Sequence, residues 1–354
     1  MKKEIFEIKD IDRKVYQEEL ASFLPEKMID AHTHVWLNKF KFQDPEAVKR
    51  TVSWPALVAA ESPVEELLET YNMLFPGKDV TPLIFSLISR SDDIPAMNNY
   101  ISESAQKHNL PSLLFTLPEW GAEELYQKIV TGKYLGAKVY LNLAPSYLPI
   151  SEIRIFDFIP HHQLEVLNTH HMMLMLHIPR IVRLRDPVNL AQMLEIEERY
   201  PNIHVIYAHI GRAYCPEDFG NAFELLKKTK RLVIDFSANT NAEAMLKTLE
   251  SVGPGRMLFG SDLPILRMRM KRICENGRYI NVVPKGLYGD VSADPNMREV
   301  SGAEAEELTF FMYEELRSFK KAAHEYGLNK RELEQVFYEN AKAIIEDIKG
   351  RLNY

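Results

Sequence analysis

Eight short apolar runs separated by helix-like segments constrain the fold of this 354-residue chain more than any other feature. The runs are 28–34, 81–88, 112–116, 136–141, 172–177, 203–208, 232–236 and 257–259. Helical patterns lie between them at 94–108, 122–131, 163–169, 189–200, 217–228 and 241–251. Apolar strands that alternate with helices form parallel sheets, and eight such units over about 250 residues fit a closed barrel. The predicted fold class is therefore α/β, a (β/α)8 TIM barrel, and no Gly-rich turn after the first strand indicates a dinucleotide-binding sheet instead.

The predicted barrel is flanked by segments of a different kind. Residues 5–24 are predicted as an N-terminal extension with a short helix, and two amphipathic C-terminal helices are predicted at 303–326 and 330–349. Between the last strand and these helices, residues 263–302 contain scattered Pro and Gly and several arginines. This pattern is typical of a long loop that is either functional or disordered. No internal repeat, low-complexity segment or linker is present, so a single domain over 1–354 is predicted.

The composition excludes several classes of protein. Hydrophobic residues make up 46% of the chain and charged residues 26%, with a net charge of −7, so we expect a soluble globular protein. The acidic balance argues against a nucleic-acid partner, and neither a signal peptide nor an apolar run of membrane-spanning length is recognised. With only Cys215 and Cys274, we expect no disulfide framework, two structural thiols and a cytoplasmic protein. A homo-oligomer is compatible with all of this.

Histidines stand where several of these strands are predicted to end. In IDAHTH (29–34), His32 and His34 project together, because residues i and i+2 of a strand share a face. His177, His209 and Asp262 close later strands, and the C-terminal strand ends of a barrel all open onto the face where active sites lie. The first pair alone is also compatible with a strand that faces water. Four histidines and an aspartate together favour a site for Zn²⁺ or another divalent first-row metal.

Several short motifs carry a resemblance to a known family. They are IDAHTH (29–34), LH (176–177), AHIG (208–211), LFGSDLP (258–264) and the closing VFYENA (336–341). With these motifs, the chain from residue 28 onward resembles the amidohydrolase superfamily, in particular its amidohydrolase-related branch of TIM-barrel metal-dependent hydrolases. That branch includes lactonases and the decarboxylases of aminocarboxymuconate semialdehyde and resorcylate. The resemblance implies that His32, His34, His177 and Asp262 hold one divalent metal, with His209 beside it as a catalytic residue.

The implied chemistry uses the metal to activate water. A bound divalent ion lowers the pKa of its water from 15.7 to about 7, Asp262 would accept the proton of the attacking water, and His209 would polarise the substrate or shuttle a proton. Lys138, at the predicted fourth strand, has two functional interpretations: the carboxylated lysine that bridges two metals in some superfamily members, or a lysine that binds a substrate carboxylate. A third interpretation, without a functional role, is a lysine exposed on the surface. We favour one ion, expected to be Zn²⁺, over a two-metal site with carboxylated Lys138.

Arginines near the predicted site point to an acidic substrate. Arg180 and Arg212 each lie three residues after a site histidine, and guanidinium groups pair bidentately with carboxylates. Lys138, Arg180 and Arg212 are therefore the predicted substrate-binding residues, although many arginines are solvated or pair with the protein's own acids. Weaker candidates lie in the long loop after the last strand, namely Arg267, Arg269, Arg272 and Arg278. Trp36 and Tyr140 are predicted as pocket walls.

Three classes of function remain open at this point. The first is a metal-dependent hydrolase that attacks an ester, lactone or amide of a small substrate, with His209 and Asp262 as catalytic residues. The alternative is a metal-dependent non-oxidative decarboxylase, which uses the same ligands. A metal-binding barrel without catalysis is disfavoured because a structural zinc site needs neither His209 nor an open face. The expected partner is an acidic small molecule, with no nucleic acid and no membrane.

Overall fold

Eight parallel strands build the centre of the protein, whose computed structural model describes residues 5–42, 50 and 52–354. The strands are β1 (Lys27–His34), β2 (Asp79–Phe85), β3 (Leu114–Phe115), β4 (Gly136–Lys138), β5 (Met173–Leu176), β6 (His204–Tyr207), β7 (Val233–Asp235) and β8 (Met257–Leu258). β3 to β8 form a six-stranded sheet in chain order, and β1 pairs in parallel with β2. All eight lie within or close to the predicted apolar runs.

The ring of strands closes through two parallel bridges. A bridge between Ile84 and Ser112 joins β2 to the segment that leads into β3. A second bridge, between Thr33 and Leu263, joins β1 to the segment that follows β8. The predicted α/β TIM barrel is therefore confirmed.

Helices surround this barrel and follow its strands. They are α1 (Asp10–Val15), α2 (Val64–Leu74), α3 (Ile94–His108), α4 (Ala122–Gly132), α5 (His161–Thr169), α6 (Pro187–Arg199), α7 (His209–Arg212), α8 (Ala222–Leu226), α9 (Ala242–Val252), α10 (Ala303–Glu306), α11 (Phe311–Tyr326), α12 (Lys330–Glu334) and α13 (Asn340–Leu352). The prediction at 94–108 coincides with α3, whose first turn is capped by Asp93 and whose end is the left-handed Asn109. The helix predicted at 217–228 shortens to α8 because Pro216–Asp218 forms a 3₁₀ turn. Within the described ranges, no helix combines the length and apolar character needed to cross a membrane.

The interior of the barrel is apolar at one end and polar at the other. Ile29 and Ala31 of β1 belong to a buried cluster that also contains Ile345 and Ile348 of α13, so this C-terminal helix plugs the lower end. A register shift after Asp30 marks a bulge where β1 changes from apolar packing to the histidine motif. The upper, C-terminal strand ends are therefore the end at which a site can form.

The segment after β8 is more ordered than its sequence suggests. It forms a separate sheet from β9 (Lys271–Glu275), β10 (Arg278–Pro284) and β11 (Met297–Val300). The expectation of a long loop over 263–302 is wrong for these strands. Asn276 and Gly277, both at positive φ, turn β9 into antiparallel β10, and an Asn-Gly pair is a strong hairpin signal. The prediction failed because β9 is polar, with Arg272 as its one buried residue.

The two cysteines are joined in the structure. Cys215, after β6, forms a disulfide with Cys274 of β9, across 59 residues of sequence. This corrects the expectation of a chain without a disulfide, since two distant thiols can meet in three dimensions whatever their spacing. The cytoplasmic location stays a prediction and loses its argument from cysteine usage.

Candidate metal centre

Four histidines and one aspartate meet at the C-terminal ends of the barrel strands. His32 and His34 end β1, His177 follows β5, His209 follows β6 and Asp262 lies in the loop after β8. The ring centroid of His32 lies 5.3 Å from that of His34, 5.5 Å from that of His177 and 4.8 Å from that of His209. The structure thus brings together the five residues that the strand-end pattern selects.

These residues form two overlapping groups. In the first, Oδ1 of Asp262 lies 2.9 Å from Nε2 of His34 and 3.6 Å from Nε2 of His32. In the second, one ligand atom each from His32, His177 and His209 lies within 4.8 Å of the others. Ligand atoms of a tetrahedral zinc ion are about 3.3 Å apart, so the two distances from Asp262 are compatible with a shared ion. The four predicted ligands are therefore divided between two groups that share His32.

The donor set fits a divalent metal. Nε2 of His32 and Nε2 of His177 are buried and have no hydrogen-bond partner among the described residues. Burial lowers the pKa of His32 to about 3 and the pKa of His177 well below its usual range, so both rings are neutral. Burial raises the pKa of Asp262 and its hydrogen bond with His34 lowers it, and the balance keeps this pKa below its usual range, at about 2. Neutral imidazoles and an ionised carboxylate are the ligands that zinc and related ions take.

A buried carboxylate behind the cluster orients two of its histidines. Oδ2 of Asp235, the last residue of β7, lies 2.9 Å from Nδ1 of His32, and its Oδ1 accepts a 2.9 Å hydrogen bond from the backbone N–H of His209. The carbonyl oxygen of Ser237 lies 2.9 Å from Nδ1 of His209, so this nitrogen is assigned the hydrogen. Because such outer partners fix the tautomer of metal-binding histidines, Nε2 of both rings is left as the acceptor.

Hydrogen bonds and close packing beside the cluster account for Asp30 of the motif IDAHTH and Gly260 of the motif LFGSDLP. Asp30 is fully buried and accepts hydrogen bonds from Oη of Tyr71 at 2.7 Å and from the backbone N–H groups of His32 at 3.1 Å and Ser261 at 2.8 Å. Burial raises the pKa of Asp30 to about 7. A Cβ atom at Gly260 would lie 2.9 Å from Cβ of His32, so glycine is required where the loop after β8 crosses β1.

The backbone is strained at both residues predicted to be catalytic. Residues His209, Ile210, Gly211 and Arg212 have φ values of 58°, 52°, 57° and 63°, so α7 is one left-handed turn, and Asp262 has a φ of 56°. This conformation costs a residue with a Cβ atom roughly 1–2 kcal/mol. Such outliers cluster at functional sites, where the surrounding structure holds them.

Lys138 ends β4 beside the cluster. Its Nζ lies 4.6 Å and 4.8 Å from the ring centroids of Phe85 and Tyr140, and it has no hydrogen-bond acceptor among the described residues. Burial lowers the pKa of Lys138 to about 7, while the charges of Asp235 and Asp262 oppose this shift. The amine is thus divided between its charged and neutral forms near neutral pH.

The other predicted substrate-binding residues contact backbone. Arg180 donates to the carbonyl oxygens of Glu152 and Ile153, at 3.3 Å each. Nη1 of Arg212 donates to the carbonyl oxygen of Pro179 at 3.3 Å. These contacts stabilise loops after β4 and β5, and binding of a substrate by either arginine stays a prediction.

Two predicted pocket residues differ in position. The ring of Tyr140 lies 5.1 Å from that of His177, whereas the indole N–H of Trp36 donates to the backbone of Ala60.

The sequence interpretation missed Asp235, although the rule of a polar residue at a strand end, applied to β7, would have found it. No local signal indicated Tyr71, whose hydroxyl reaches the site across the fold.

The cluster is enclosed except at His177, which is partly exposed. His32 and His34 are 0% and 1% exposed. A cavity of about 910 Å³ lies instead at the opposite end of the barrel, beside Lys27 and Lys78 where β1 and β2 begin. That cavity is remote from the metal-type residues and is not the candidate site.

Comparison with protein families identifies the family of this chain. A sequence model of the amidohydrolase family matches residues 29–345. No curated protein matches the chain at a significant level.

Solved structures with the same fold include a hydrolase and decarboxylases. A probable 2-pyrone-4,6-dicarboxylic acid hydrolase from Acinetobacter baumannii, with citric acid bound, has a TM-score of 0.56 at 16% identity, over 90% of this chain and 99% of that one. A 2,6-dihydroxybenzoate decarboxylase from Rhizobium has a TM-score of 0.52 at 12% identity, over 91% and 99%. A dihydroxybenzoic acid decarboxylase from Polaromonas sp. JS666, with bound manganese and the inhibitor 2-nitroresorcinol, has a TM-score of 0.52 at 12% identity, over 91% and 97%. At these identities the similarity establishes a common fold.

Proposed function

This chain belongs to the amidohydrolase family, whose members are metal-dependent enzymes, and from that premise we propose that it hydrolyses an ester, lactone or amide of a small, carboxylate-bearing substrate. The observation that carries the proposal is the position of Asp262, whose Oδ1 lies 2.9 Å and 3.6 Å from the Nε2 atoms of His34 and His32. An ionised carboxylate beside two neutral imidazoles is both a ligand and a base.

His32, His34, His177 and Asp262 would hold one divalent ion, and Zn²⁺ is the ion we expect. When bound, such an ion acidifies water and polarises a carbonyl group. The unpartnered Nε2 atoms of His32 and His177 support this assignment. The closeness of His209 to His32 and His177 leaves a second arrangement, a two-metal site with carboxylated Lys138, as the less favoured alternative.

Asp262 and His209 have complementary proton-transfer roles in the proposal. With its pKa held at about 2, Asp262 is ionised at neutral pH and accepts the proton of the attacking water. Because Nδ1 of His209 is assigned the hydrogen that it donates to the carbonyl of Ser237, Nε2 is the ring atom that can accept a proton. It takes over the water proton from Asp262 and delivers it to the leaving oxygen or nitrogen as the bond from that atom to the carbonyl carbon breaks.

Lys138 would bind a carboxylate of the substrate. Its Nζ is fully buried between two aromatic rings and has no acceptor among the residues that the structure describes. A bound carboxylate would favour the charged form of the amine, since an opposite charge raises the pKa of a lysine.

Non-oxidative decarboxylation is the competing proposal. The burial of His32, His34 and Lys138 favours it, because restricted access of water suits a reaction that needs no attacking water. Two of the structural neighbours are decarboxylases of hydroxybenzoates. Hydrolysis remains our choice because Asp262, beside His32 and His34, can accept the proton of an attacking water, a role that decarboxylation does not require.

The test measures metal content and turnover on one preparation. Metal-depleted protein, reconstituted with Zn²⁺ or Mn²⁺, is given 2-pyrone-4,6-dicarboxylate, simple lactones, aryl esters, amides and 2,6-dihydroxybenzoate, and proton release and CO₂ are recorded. We expect proton release without CO₂, lost on depletion and restored by the ion. Asp262→Asn should abolish the proton release. Asp347→Asn, which changes the aspartate that contacts His204, should not. CO₂ from the hydroxybenzoate without any hydrolysis would favour the decarboxylase, and full activity without metal would reject both.

A further inference from the structure

The hairpin after β8 carries a buried guanidinium that the proposed mechanism does not use. Arg272 is 9% exposed, and it pairs across the hairpin with Asn281 of β10. Its Nε donates to Oδ1 of Asn281 at 2.9 Å, and its Nη1 donates to the carbonyl oxygen of Ala238 at 2.7 Å. The group is therefore held in one orientation.

Arg272 differs from the other buried arginines in what balances its charge. Arg267 and Arg269 each contact a carboxylate, at 2.5 Å and 2.6 Å. Arg50 donates to four backbone carbonyl oxygens. Among the described residues, Arg272 has no carboxylate within 4.0 Å, and two acceptors serve its five N–H groups. Because buried charges are normally paired, Arg272 has both spare donors and an unbalanced charge.

Aromatic rings stabilise this cation without neutralising it. Its Cζ lies 4.8 Å, 4.5 Å and 4.4 Å from the ring centroids of Tyr214, Tyr279 and Phe311. Glu315 of α11, which is fully buried, is the acid that would offset this charge if it were ionised. Burial raises the pKa of Glu315 well above its usual range, so this carboxyl group is neutral and leaves the guanidinium charge in place.

The guanidinium lies near the cluster of four histidines and Asp262. The ring centroid of Tyr214 is 6.5 Å from that of His209 and 4.8 Å from Cζ of Arg272. The backbone links the two groups as well, since the carbonyl of Ser237 contacts His209 and the carbonyl of the next residue, Ala238, accepts from Arg272. The guanidinium and the predicted catalytic imidazole therefore share Tyr214 as a neighbour.

The disulfide joins the two segments that form this arrangement. Cys274 lies two residues after Arg272 on β9, and Cys215 is the neighbour of Tyr214. The bond holds the hairpin against the loop after β6. The disulfide therefore holds the Arg272 guanidinium and the ring of Tyr214 in fixed positions relative to each other.

We propose that Arg272 is a specificity-determining residue that binds a second carboxylate of the substrate, remote from the bond that reacts at the cluster. The enzyme would then select dicarboxylates over monocarboxylates of the same ring. The nature of the reacting bond rests on the proposed function, whereas the binding of the second carboxylate does not.

The test compares two probes and matched variants. Isophthalate and benzoate are titrated calorimetrically into the metal-loaded protein, into Arg272→Gln and into Arg278→Gln, which removes an exposed arginine of the same hairpin. Loss of a charged hydrogen-bonding partner costs about 10- to 100-fold in affinity. We expect the wild type and Arg278→Gln to prefer isophthalate by this factor, and Arg272→Gln to bind both acids equally.

The variants also separate binding from folding. Arg272→Gln should keep the metal content of the wild type and a cooperative unfolding transition, and Arg272→Lys, which keeps the charge, should retain part of the preference. An unchanged preference in Arg272→Gln would overturn the inference, as would a wild type that binds isophthalate no better than benzoate. If no member of the substrate panel is turned over but the Arg272-dependent preference persists, the proposed function fails and this inference stands.

Discussion

The histidine cluster and the hairpin of Arg272 lie side by side at one end of the barrel, yet they are built in different ways. The cluster stands on strands whose apolar residues fill the barrel, and Nε2 of His32 and Nε2 of His177 lack partners among the described residues. The hairpin has Arg272 as the one buried residue of β9, and that side chain is already bonded to Asn281 and Ala238. The cluster contains nitrogen atoms without a partner, and the hairpin contains N–H donors of Arg272 without an acceptor.

This difference assigns metal binding to the cluster and recognition of the substrate to the hairpin. Unpartnered nitrogens and an ionised carboxylate suit a metal, whereas a preorganised guanidinium suits an anionic group of a ligand. Changes in the cluster should therefore remove the ion or the reaction, and changes in the hairpin should alter which substrate is chosen. The predictions below are ordered by their expected effect on turnover.

The largest effect is expected from His32→Ala combined with His34→Ala. Both imidazoles lie within 3.6 Å of Oδ1 of Asp262 and belong to the proposed ligand set, so the variant should retain no stoichiometric metal and its turnover should fall to background. Elemental analysis and an activity assay measure this. The matched control is His161→Ala with His162→Ala on α5, which should keep metal and activity. Stoichiometric metal in the His32/His34 variant would make the ligand assignment wrong.

His209→Asn should lower kcat by roughly 10²–10⁴-fold, the usual contribution of a general acid or base. Metal content should stay at the wild-type level, because the proposed ligand set does not include His209. Steady-state kinetics and elemental analysis on the same sample decide this. Loss of the ion would show that His209 is a ligand, which the second group of ligand atoms also allows.

Asp235→Asn should weaken metal binding by about 10- to 100-fold, as changes to outer partners of metal-binding histidines do. The carboxylate accepts from Nδ1 of His32, and an amide cannot hold that ring as a carboxylate does. Competition with a chelator measures the affinity. Asp347→Asn removes the partner of half-buried His204 and serves as the control, with no expected change.

Cys274→Ser should have the smallest effect on turnover. Removing the disulfide is expected to lower the free energy of unfolding by about 2–4 kcal/mol, because Cys215 and Cys274 close a long loop. Metal content should be unchanged, and the preference for isophthalate should weaken. Denaturant titration measures the first effect and calorimetry the last. A loss of metal in this variant would show that the two regions are not separable.

The barrel and the cluster were largely predictable because their signals are local. His32 and His34 are visible as a pair at the end of an apolar run, and α3 is bounded by a capping residue and a left-handed one. Asp235 obeys the same strand-end rule and was overlooked. Asn276-Gly277 was an available hairpin signal, but β9 lacks the apolar alternation that marks a half-buried strand.

By itself, the sequence determined the eight-fold alternation of strands and helices, the residues at the strand ends and hence the metal-type chemistry, since side-chain periodicity and residue type are short-range properties. Only the tertiary structure decided which charges are compensated. Arg180 and Arg212 seemed the better substrate ligands by spacing, yet the folded chain engages them with backbone carbonyls. Arg272 emerged because burial, the ring of Tyr214 and the bond between Cys215 and Cys274 are long-range contacts. Such contacts depend on how distant segments pack, and no local pattern encodes them.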